Sequence, residues 1–379
     1  MKAEVAFPAL QNAARTLKAY TTSPRWHTAT RLLHLRTHSD TLTLTAGTGD
    51  DVAEVDLPGG HADGDVAITP DDLLKALTAM RPKGKAAATA TVGLVAEPNR
   101  LHLTVNGGPA VGLDTEPSPP TNLACLPAMP AARPVTTGPV GDWCNLVQGV
   151  GRAAGHDPSR PELAVVRLHR DHPGTVLMVE AVDRYRAHRG RWGEPTGGAV
   201  DARIPIPGAD RAVRLLTATD PHGHLLVDVD DERIRWQTDT VRVALRTRGE
   251  PFPDLERIRE EIASDATLGF RVDRQHLLAA LDTATALAAT TRHGRIHLET
   301  TPAGTDVSVY TDSGAPLHRI PLPVSRRSLP HTLTLQPTLL RQAVAFLDGP
   351  HIDLAATVGR LAMYLHGEHR HAIVMQTAA

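Results

Sequence analysis

The chain repeats one pattern six times, in which a short strand leads into an amphipathic helix and alternating strands follow. The period is about 65 residues, within the range of repeat-built proteins. The predicted helices occupy Phe7–Tyr20, Thr69–Arg81, Val140–Ala154, Pro207–Thr217, Val272–Ala289 and Leu335–Leu347. Two kinds of half-unit alternate, so the six form three pairs. One helix with antiparallel strands in each half-unit predicts an α+β architecture. Such a chain favours a symmetric, curved or closed body over a single enzyme pocket.

Two interruptions of the repeat predict domain boundaries. Glu116–Pro134 is rich in proline and small residues, which marks a linker. A shorter break lies at Gly249–Asp254, and the charged segment Leu255–Asp265 after it is compatible with a helical turn. The predicted domains are therefore 1–125, 126–253 and 254–379.

Side-chain spacing supports these helices and strands. In the second helix Leu73, Leu77 and Met80 form one apolar stripe, as expected of a helix packed on a core. Thr69 precedes a proline and two aspartates, a pattern typical of a capped helix start. Ile234 and Trp236 alternate with arginines, which predicts a half-buried strand.

Bulk properties exclude several classes of protein. The net charge is −2, from 40 basic and 42 acidic residues, so no overall basic character marks a nucleic-acid binder. The two cysteines, Cys125 and Cys144, form no disulfide framework and fit a reducing compartment. Because no segment approaches the roughly 18 apolar residues of a membrane span, we expect a soluble, cytoplasmic protein without membrane contacts.

Four short motifs occur in a fixed order within this repeat. They are Pro161–Glu162–Leu163, Val179–Ala187 (VEAVDRYRA), Phe252–Pro253–Asp254 followed by Arg257–Ile258, and Ala372–Ile373–Val374–Met375. Together with the repeat, they resemble the bacterial DNA polymerase III beta subunit, the sliding clamp. The resemblance covers essentially the whole length. It implies a three-domain clamp fold that closes into a ring as a head-to-tail homodimer.

The resemblance also implies a non-enzymatic function, in which the ring encircles double-stranded DNA and needs no cofactor or metal. A basic inner face would then suffice for non-specific, salt-sensitive contacts with DNA, although each basic residue could equally be an ordinary solvated one. The candidates on the predicted helices and in one loop are Arg15, Lys18, Arg25, Lys75, Arg152, Arg211, Arg214, Arg274 and Arg341.

A second implied surface is a hydrophobic pocket for peptides of the DNA polymerase III alpha subunit and other clamp-binding proteins. Such a pocket needs apolar walls and a few fixed polar groups. Carried over by motif, the candidates are Leu163, Val182, Arg186, Ala187, Pro253, Arg257, Ile258, Ile373, Val374 and Met375, with interdomain packing as the alternative. A clamp loader complex is a further implied partner.

Departures from the family pattern raise a second hypothesis. Val182 stands where threonine is usual, Ala187 where leucine is usual and Leu255 where tyrosine is common. The chain also ends in Gln-Thr-Ala-Ala after Met375. These changes reshape the pocket, which suggests a divergent paralogue with a specialised role in phage or plasmid replication or in resistance to clamp-directed antibiotics.

The third hypothesis is an enzyme. His366, His369 and His371, with Glu368 among them, resemble a ligand set and would suit a metal-dependent hydrolase. Asp228 and Asp230 could pair as carboxylates, although acids are ordinary beside a turn. The sequence lacks a phosphate-binding GxxxxGK[ST] loop, a GxSxG elbow and an HExxH motif. The repeat and the four motifs favour a non-enzymatic protein.

Overall fold

The computed structural model describes residues 1–21, 31–48, 50–116, 133–157, 159–194, 197–229, 232–264, 268–301, 304–325, 331–356 and 362–376. It divides into two compact units. The first unit comprises Met1–Asn145, Arg170–Leu177 and Gly193–Arg248, and the second comprises Leu146–His169, Met178–Trp192 and Gly249–Ala379. Most of the predicted linker, 117–132, lies outside the described residues, and the division at 125 and 253 stays a prediction.

The six predicted helices are confirmed. The helices found among the described residues are α1 Phe7–Leu17, α2 Pro70–Ala79, α3 Ala86–Thr89, α4 Val140–Gly151, α5 Ile206–Thr219, α6 Leu255–Ser264, α7 Arg274–Ala288 and α8 Pro337–Phe346. Two of these eight helices are additional to the six that were predicted. The one-turn helix α3 was not predicted, and the charged segment after residue 254 forms the full helix α6 rather than a turn.

Local chemistry explains where these helices begin. The Thr69 hydroxyl accepts a hydrogen bond from the backbone N–H of Asp72, and Pro70 occupies the first turn of α2. Asp273 caps α7 in the same way, because its Oδ1 accepts from His276 N at 2.8 Å. Both caps satisfy N–H groups that have no partner within the helix.

The strand that contains Ile234 and Trp236 alternates in burial as predicted. The bounds of the described strands are β1 Lys2–Ala6, β2 Leu33–His38, β3 Thr41–Gly47, β4 Val52–Pro58, β5 Gly60–Ala62, β6 Gly64–Ile68, β7 Thr91–Glu97, β8 Arg100–Val105, β9 Val111–Asp114, β10 Arg133–Pro139, β11 Val165–Arg170, β12 Leu177–Val182 and β13 Arg186–Trp192. They continue with β14 Val200–Pro205, β15 His224–Val229, β16 Arg233–Gln237, β17 Val241–Arg246, β18 Leu268–Asp273, β19 Ile296–Thr300, β20 Thr305–Tyr310, β21 Pro316–Leu322, β22 His331–Leu335, β23 His351–Ala356, β24 Ala362–His366 and β25 Arg370–Met375. Ile234 and Trp236 are fully buried on β16.

The first unit contains two antiparallel sheets and a group of helices. One sheet has the order β5-β1-β7-β8-β9, and the other has the order β10-β15-β16-β17-β4-β3-β2-β6. The second sheet is continuous through β17 and β4, where Val243 lies opposite Ala53. Helix α1 packs against both α2 and α5. The sheet core includes Trp143 and Trp236, whose rings meet edge to face at 5.1 Å.

The second unit also contains two sheets. Seven of its strands follow in the order β11-β12-β13-β25-β24-β23-β18, and four more in the order β21-β20-β19-β22. Helix α8 packs against β25 and β13, and α7 packs against α8. Helix α6 packs against β24 and β23. Within the described ranges, no helix is both long and apolar enough to cross a membrane.

Candidate functional site

Half of the residues predicted to line a peptide pocket meet in one apolar cluster of the second unit. This Ile373 cluster contains Leu163, Val182, Ala187, Leu255, Ile262, Tyr364 and Ile373, with Phe252, Ile258 and Ala362 packed against it. Four of its buried members and Ile258 were predicted. Leu255 was expected only as a departure that reshapes the pocket and Phe252 only as part of a motif, while Ile262, Tyr364 and Ala362 were not predicted.

The sheet places these side chains on one face. Ala187 on β13 lies directly opposite Ile373 on β25, which in turn lies opposite Tyr364 on β24. Directly opposed residues of antiparallel strands project to the same side, so the three side chains form a row. Val182 ends β12, and Leu163 ends a short 3-10 helix at Pro161–Leu163. Four strands and one 3-10 helix thus supply the sheet side of the cluster.

Other predicted residues lie elsewhere. Arg186 and Val374 are opposed to each other one position along the same two strands, and therefore project to the opposite face. Val374 is fully buried there, and Arg186 binds Asp183 at 3.2 Å and Gln342 on α8. Arg257 projects into solvent from α6, with 74% of its side chain exposed.

Two further predicted residues lie at the margins of the cluster. Pro253 is half-buried directly before α6. Met375 is half-buried at the end of β25, and its N–H donates to Tyr185 O at 2.7 Å. Tyr185 itself is 57% exposed.

Helix α6 supplies the remaining apolar side chains. Leu255, Ile258 and Ile262 are three and seven positions apart, so they share one helix face. That face meets the sheet, which leaves Leu255 and Ile262 only 3% and 2% exposed. Asp254 caps the helix, because its Oδ1 accepts from the N–H of Arg257 at 3.0 Å.

An ion-pair network fastens the same helix to the sheet. Glu256 accepts from Arg189 on β13 and from Arg259 on α6. Arg189 Nε also lies 2.9 Å from Glu180 Oε1 on β12. Burial alone would raise the pKa of Glu256, but the hydrogen bonds from Arg259 and Arg189 lower it to about 2. For Glu180, burial outweighs its arginine partners and raises the pKa of the carboxyl.

The space between α6 and the sheet is almost filled. A cavity of about 10 Å³ remains, lined by Leu255 and Arg259 of α6 and by Ala187, Tyr364 and Ile373 of the sheet. A site needs at least about that volume to hold a single water molecule. The predicted pocket residues Ala187 and Ile373 on the sheet are therefore packed closely against α6.

The candidate DNA-facing residues of the first unit differ in their partners. Lys18 Nζ lies 2.5 Å from Asp71, whose pKa its hydrogen bond lowers, and Lys75 lies 3.6 Å from Asp72. Arg211 binds Asp51 and also lies over the ring of Tyr20 at 5.7 Å. The two others, Arg15 and Arg214, are exposed and form no ion pair with any described residue.

The second unit shows the same mixture. Arg341 binds Asp282, and Arg274 donates to the carbonyls of Val344 and Ala345 at 3.2 and 3.0 Å. Arg152 is exposed and has no ion-pair partner in the part of the chain that the structure describes. The remaining candidate, Arg25, lies outside the described residues.

The C-terminal histidines stack rather than converge. The rings of His366 and His371 lie 4.6 Å apart at 10°, and the Tyr364 hydroxyl lies 2.7 Å from His371 Nδ1. Burial lowers the pKa of His371 to about 4. The N–H of His369 donates to Asp348 in the turn before β25. Within the described ranges, no three His, Cys, Asp or Glu residues are arranged to hold a metal ion.

The other chemical candidates have structural partners or lie outside the described residues. Asp228 is buried and accepts from Arg235 Nε at 2.9 Å, as in an ordinary cross-strand ion pair, and Asp230 lies outside the described residues. Cys144 is a free, buried cysteine, and burial raises the pKa of its thiol. Cys125 also lies outside the described residues.

Neither a known family's sequence profile nor a curated protein sequence matches the chain. Solved structures do match over the full length. The beta subunit from the DNA polymerase of Streptococcus pyogenes has a TM-score of 0.84 at 14% identity, with 100% of both chains covered. The DNA polymerase sliding clamp of Bacillus subtilis has a TM-score of 0.84 at 15% identity, with 100% of this chain and 99% of that chain covered.

A third structure, the DNA polymerase sliding clamp of Pseudomonas aeruginosa, has a TM-score of 0.81 at 14% identity, with 100% of both chains covered. The likeness in all three cases extends from end to end of both chains, so it includes the whole repeat and not one domain. The α+β prediction and the resemblance seen in the sequence are therefore confirmed at the level of fold: the chain has the fold of the bacterial DNA polymerase III beta sliding clamps.

Proposed function

We propose that the protein is a DNA sliding clamp, a processivity factor that encircles duplex DNA and tethers polymerase without catalysing a reaction. The observation that carries this proposal is the match to sliding-clamp structures over 100% of the chain at a TM-score of 0.84. A structural match to one domain would be compatible with many functions, because one fold can serve many functions. Here the match includes every repeat, so all the structural parts of a clamp protomer are present.

Unpaired strand edges support a head-to-tail homodimer. Strand β9 ends one sheet of the first unit, and β21 ends one sheet of the second, each without a further strand partner among the described residues. Val111 on β9 and Leu317 on β21 are 36% and 43% exposed. Exposed apolar edges invite pairing with another chain. In the proposal, β9 of one copy pairs with β21 of the other, and two such contacts close a ring.

The distribution of charge supports weak, non-specific binding to DNA. The net charge is −2, and four of the candidate basic residues, Lys18, Lys75, Arg211 and Arg341, are already ion-paired. Arg15, Arg152 and Arg214 remain available for phosphates. Since a closed ring retains DNA topologically, a few non-specific phosphate contacts suffice.

The Ile373 cluster is the proposed peptide-binding pocket for the DNA polymerase III alpha subunit and other clamp-binding proteins. Its aliphatic walls and the nearby Arg189 and Arg259 match the apolar anchors and fixed polar groups that such recognition uses. A clamp loader complex of other chains would open the ring. With these partners, the protein would act in the cytoplasm.

The test is solution mass by light scattering, combined with retention on circular and linearised DNA after loading. We expect a mass near twice 40.6 kDa, and retention on circular DNA that is lost on linearised DNA. A stable monomer, or equal retention on both DNA forms, would contradict the proposal.

A specialised paralogue is the second candidate. It is favoured by the low identity to sliding clamps, 14 to 15% in the three structures above, and by the filled pocket. A primer-extension assay with the host polymerase distinguishes the roles: a replicative clamp replaces the main clamp of the cell, and a specialised paralogue does not.

A further inference from the structure

The four-stranded sheet β21-β20-β19-β22 of the second unit carries a cavity on its polar face. Along β19, Ile296 and Leu298 are buried in the core, whereas His297 and Glu299 project to the opposite face and line the cavity. Its volume is about 370 Å³. Small-molecule sites in proteins have volumes of roughly 300–1,000 Å³, so the cavity is large enough for a small ligand. It shares no residue with the Ile373 cluster.

Strand pairing brings the lining side chains together. His297 lies directly opposite Thr334 on β22 and Ser308 on β20, and its Nδ1 lies 3.2 Å from the Thr334 hydroxyl. Tyr310 is two positions beyond Ser308 and therefore projects to the same face. Its ring meets the His297 ring edge to face, with centroids 4.9 Å apart. The two rings thus form a corner, and Arg295, two positions before His297, lines the cavity beside it.

The acids of the cavity already have partners. Glu299 accepts a hydrogen bond from the Tyr310 hydroxyl, and Arg319 Nη2 lies 3.9 Å from the same carboxylate. The hydrogen bond with Glu299 raises the pKa of Tyr310, so the phenol stays neutral and its ring is held in place. Asp312 Oδ1 accepts from the backbone N–H of Arg292 at 2.9 Å, and its other oxygen accepts from no described residue.

The main donor of the cavity, in contrast, lacks a partner. The half-buried guanidinium of Arg295 forms no hydrogen bond or ion pair with any residue that the structure describes. His293 at the rim is exposed and likewise forms neither with the described residues. A guanidinium presents N–H donors in a planar fork that matches the oxygens of a phosphate group. Arg295 is therefore placed to receive an anionic group of a ligand.

We propose that this cavity binds a small phosphate monoester that carries a flat ring, such as a nucleoside monophosphate. The phosphate pairs with Arg295 through charge-assisted hydrogen bonds. The flat ring packs in the corner of Tyr310 and His297, where one aromatic ring offers its face and the other its edge. A ligand hydroxyl donates to the second oxygen of Asp312. Because all these residues belong to one unit, binding requires neither DNA nor ring closure.

The test is isothermal titration calorimetry of the full chain with adenosine monophosphate. We expect saturable binding that is at least about tenfold tighter than that of adenosine, which lacks the phosphate. Ribose phosphate lacks the flat ring and should bind about fivefold more weakly than the monophosphate. Equal affinity for adenosine and adenosine monophosphate would overturn the role of Arg295. Equal affinity for ribose phosphate would overturn the role of the aromatic corner.

A pair of variants locates the phosphate. Arg295→Gln removes the proposed partner of the phosphate, so the affinity for adenosine monophosphate should fall at least about tenfold. Arg292→Gln is the matched control, because it makes the same change of charge three positions away on a side chain that does not line the cavity. Its affinity should stay within about twofold of the wild type, since salt screens exposed charges. Equal losses in the two folded variants would overturn the site.

A measurement on the wild type covers the case in which Arg295→Gln does not fold, as judged by circular dichroism. Azido-adenosine monophosphate is bound to the full chain and photolysed, and the attached label is located by peptide mass spectrometry. We expect the label in the peptides that contain His297 or Tyr310, and its loss when excess adenosine monophosphate competes. A label confined to other peptides, or one that the competitor does not displace, would overturn the proposal.

Discussion

His188 and Phe346 lie face to face in the second unit, with ring centroids 4.5 Å apart and planes 3° apart. His188 Nδ1 donates to the carbonyl oxygen of Gly149 on α4 at 2.8 Å, so its Nε2 carries the lone pair. The side chain is fully buried, and burial lowers its pKa to about 4. One neutral imidazole thus joins β13, α4 and α8.

The first prediction concerns pH. The unfolded chain binds a proton at His188 near pH 6.5 and the folded chain only near pH 4, so the unfolded state gains protons first on acidification. Stability that is complete above pH 6.5 is therefore lost as the pH falls towards 4, by up to about 3 kcal/mol from this residue. His188→Phe should reduce the pH dependence of the free energy of unfolding over this range, measured by urea denaturation, while the contribution of His371 remains. The exposed His318→Gln should not, and equal pH dependence in both variants would contradict the assignment.

The second prediction concerns the contact beneath that ring. A Cβ on Gly149 would lie 2.8 Å from Phe346 Cδ2, and the ring cannot yield because His188 stacks on it. Gly149→Ala should cost about 1–3 kcal/mol of unfolding free energy. Gly141→Ala on the same helix is the control. Its Cβ would meet Pro221 O at an ordinary 3.6 Å, so the higher helix propensity of alanine should leave stability unchanged or slightly raised.

The third prediction concerns the proposed dimer. Leu317→Asp on the edge strand β21 places a charge in the proposed contact with β9 and should shift the sedimentation mass towards the monomer. Val95→Asp is the matched control, since Val95 is 42% exposed but lies on β7, which is paired on both sides. If both variants remain dimeric, the ring closes by another surface.

The fourth prediction concerns DNA. The triple variant Arg15→Ala, Arg152→Ala and Arg214→Ala should weaken binding to a short duplex and reduce the slope of log affinity against log salt by roughly 0.9 for each phosphate that is no longer neutralised. The charge-matched triple variant Lys18→Ala, Lys75→Ala and Arg341→Ala should change the slope less, because aspartates already neutralise these residues. Equal slopes in the two variants would contradict the division into free and paired cations.

The regular spacing of apolar residues predicted six helices and the α+β class, because amphipathic periods depend on local sequence alone. Helix α6 was underestimated for a physical reason. Its many charges resemble a solvated turn, and its ion pairs with Arg189 depend on a strand distant in sequence. The spacing of Leu255, Ile258 and Ile262 was the available signal, and it indicates a helix with one buried face.

The candidate pocket was predictable only in part. Motifs identify neighbouring residues such as Ile373 and Val374 together, but a strand sends them to opposite faces. Tyr364 became visible as a member of the cluster only from its pairing with Ile373 across β24 and β25. The ion-pair partners of the candidate DNA-contacting residues were also not predictable from the sequence alone. Asp51 and Arg211 are 160 positions apart, so their pairing requires the tertiary fold.

The pairing of β4 with β17 has a consequence for synthesis of the protein. Strand β4 is complete at residue 58, but its neighbour spans Val241–Arg246. During translation, one edge of β4 therefore remains without this partner until almost two thirds of the chain has left the ribosome. Contacts of such long sequence separation form slowly, and unpaired edges attract other chains meanwhile. Nascent chains stalled before residue 241 should therefore recruit holdase chaperones, and chains stalled after β17 has emerged should release them.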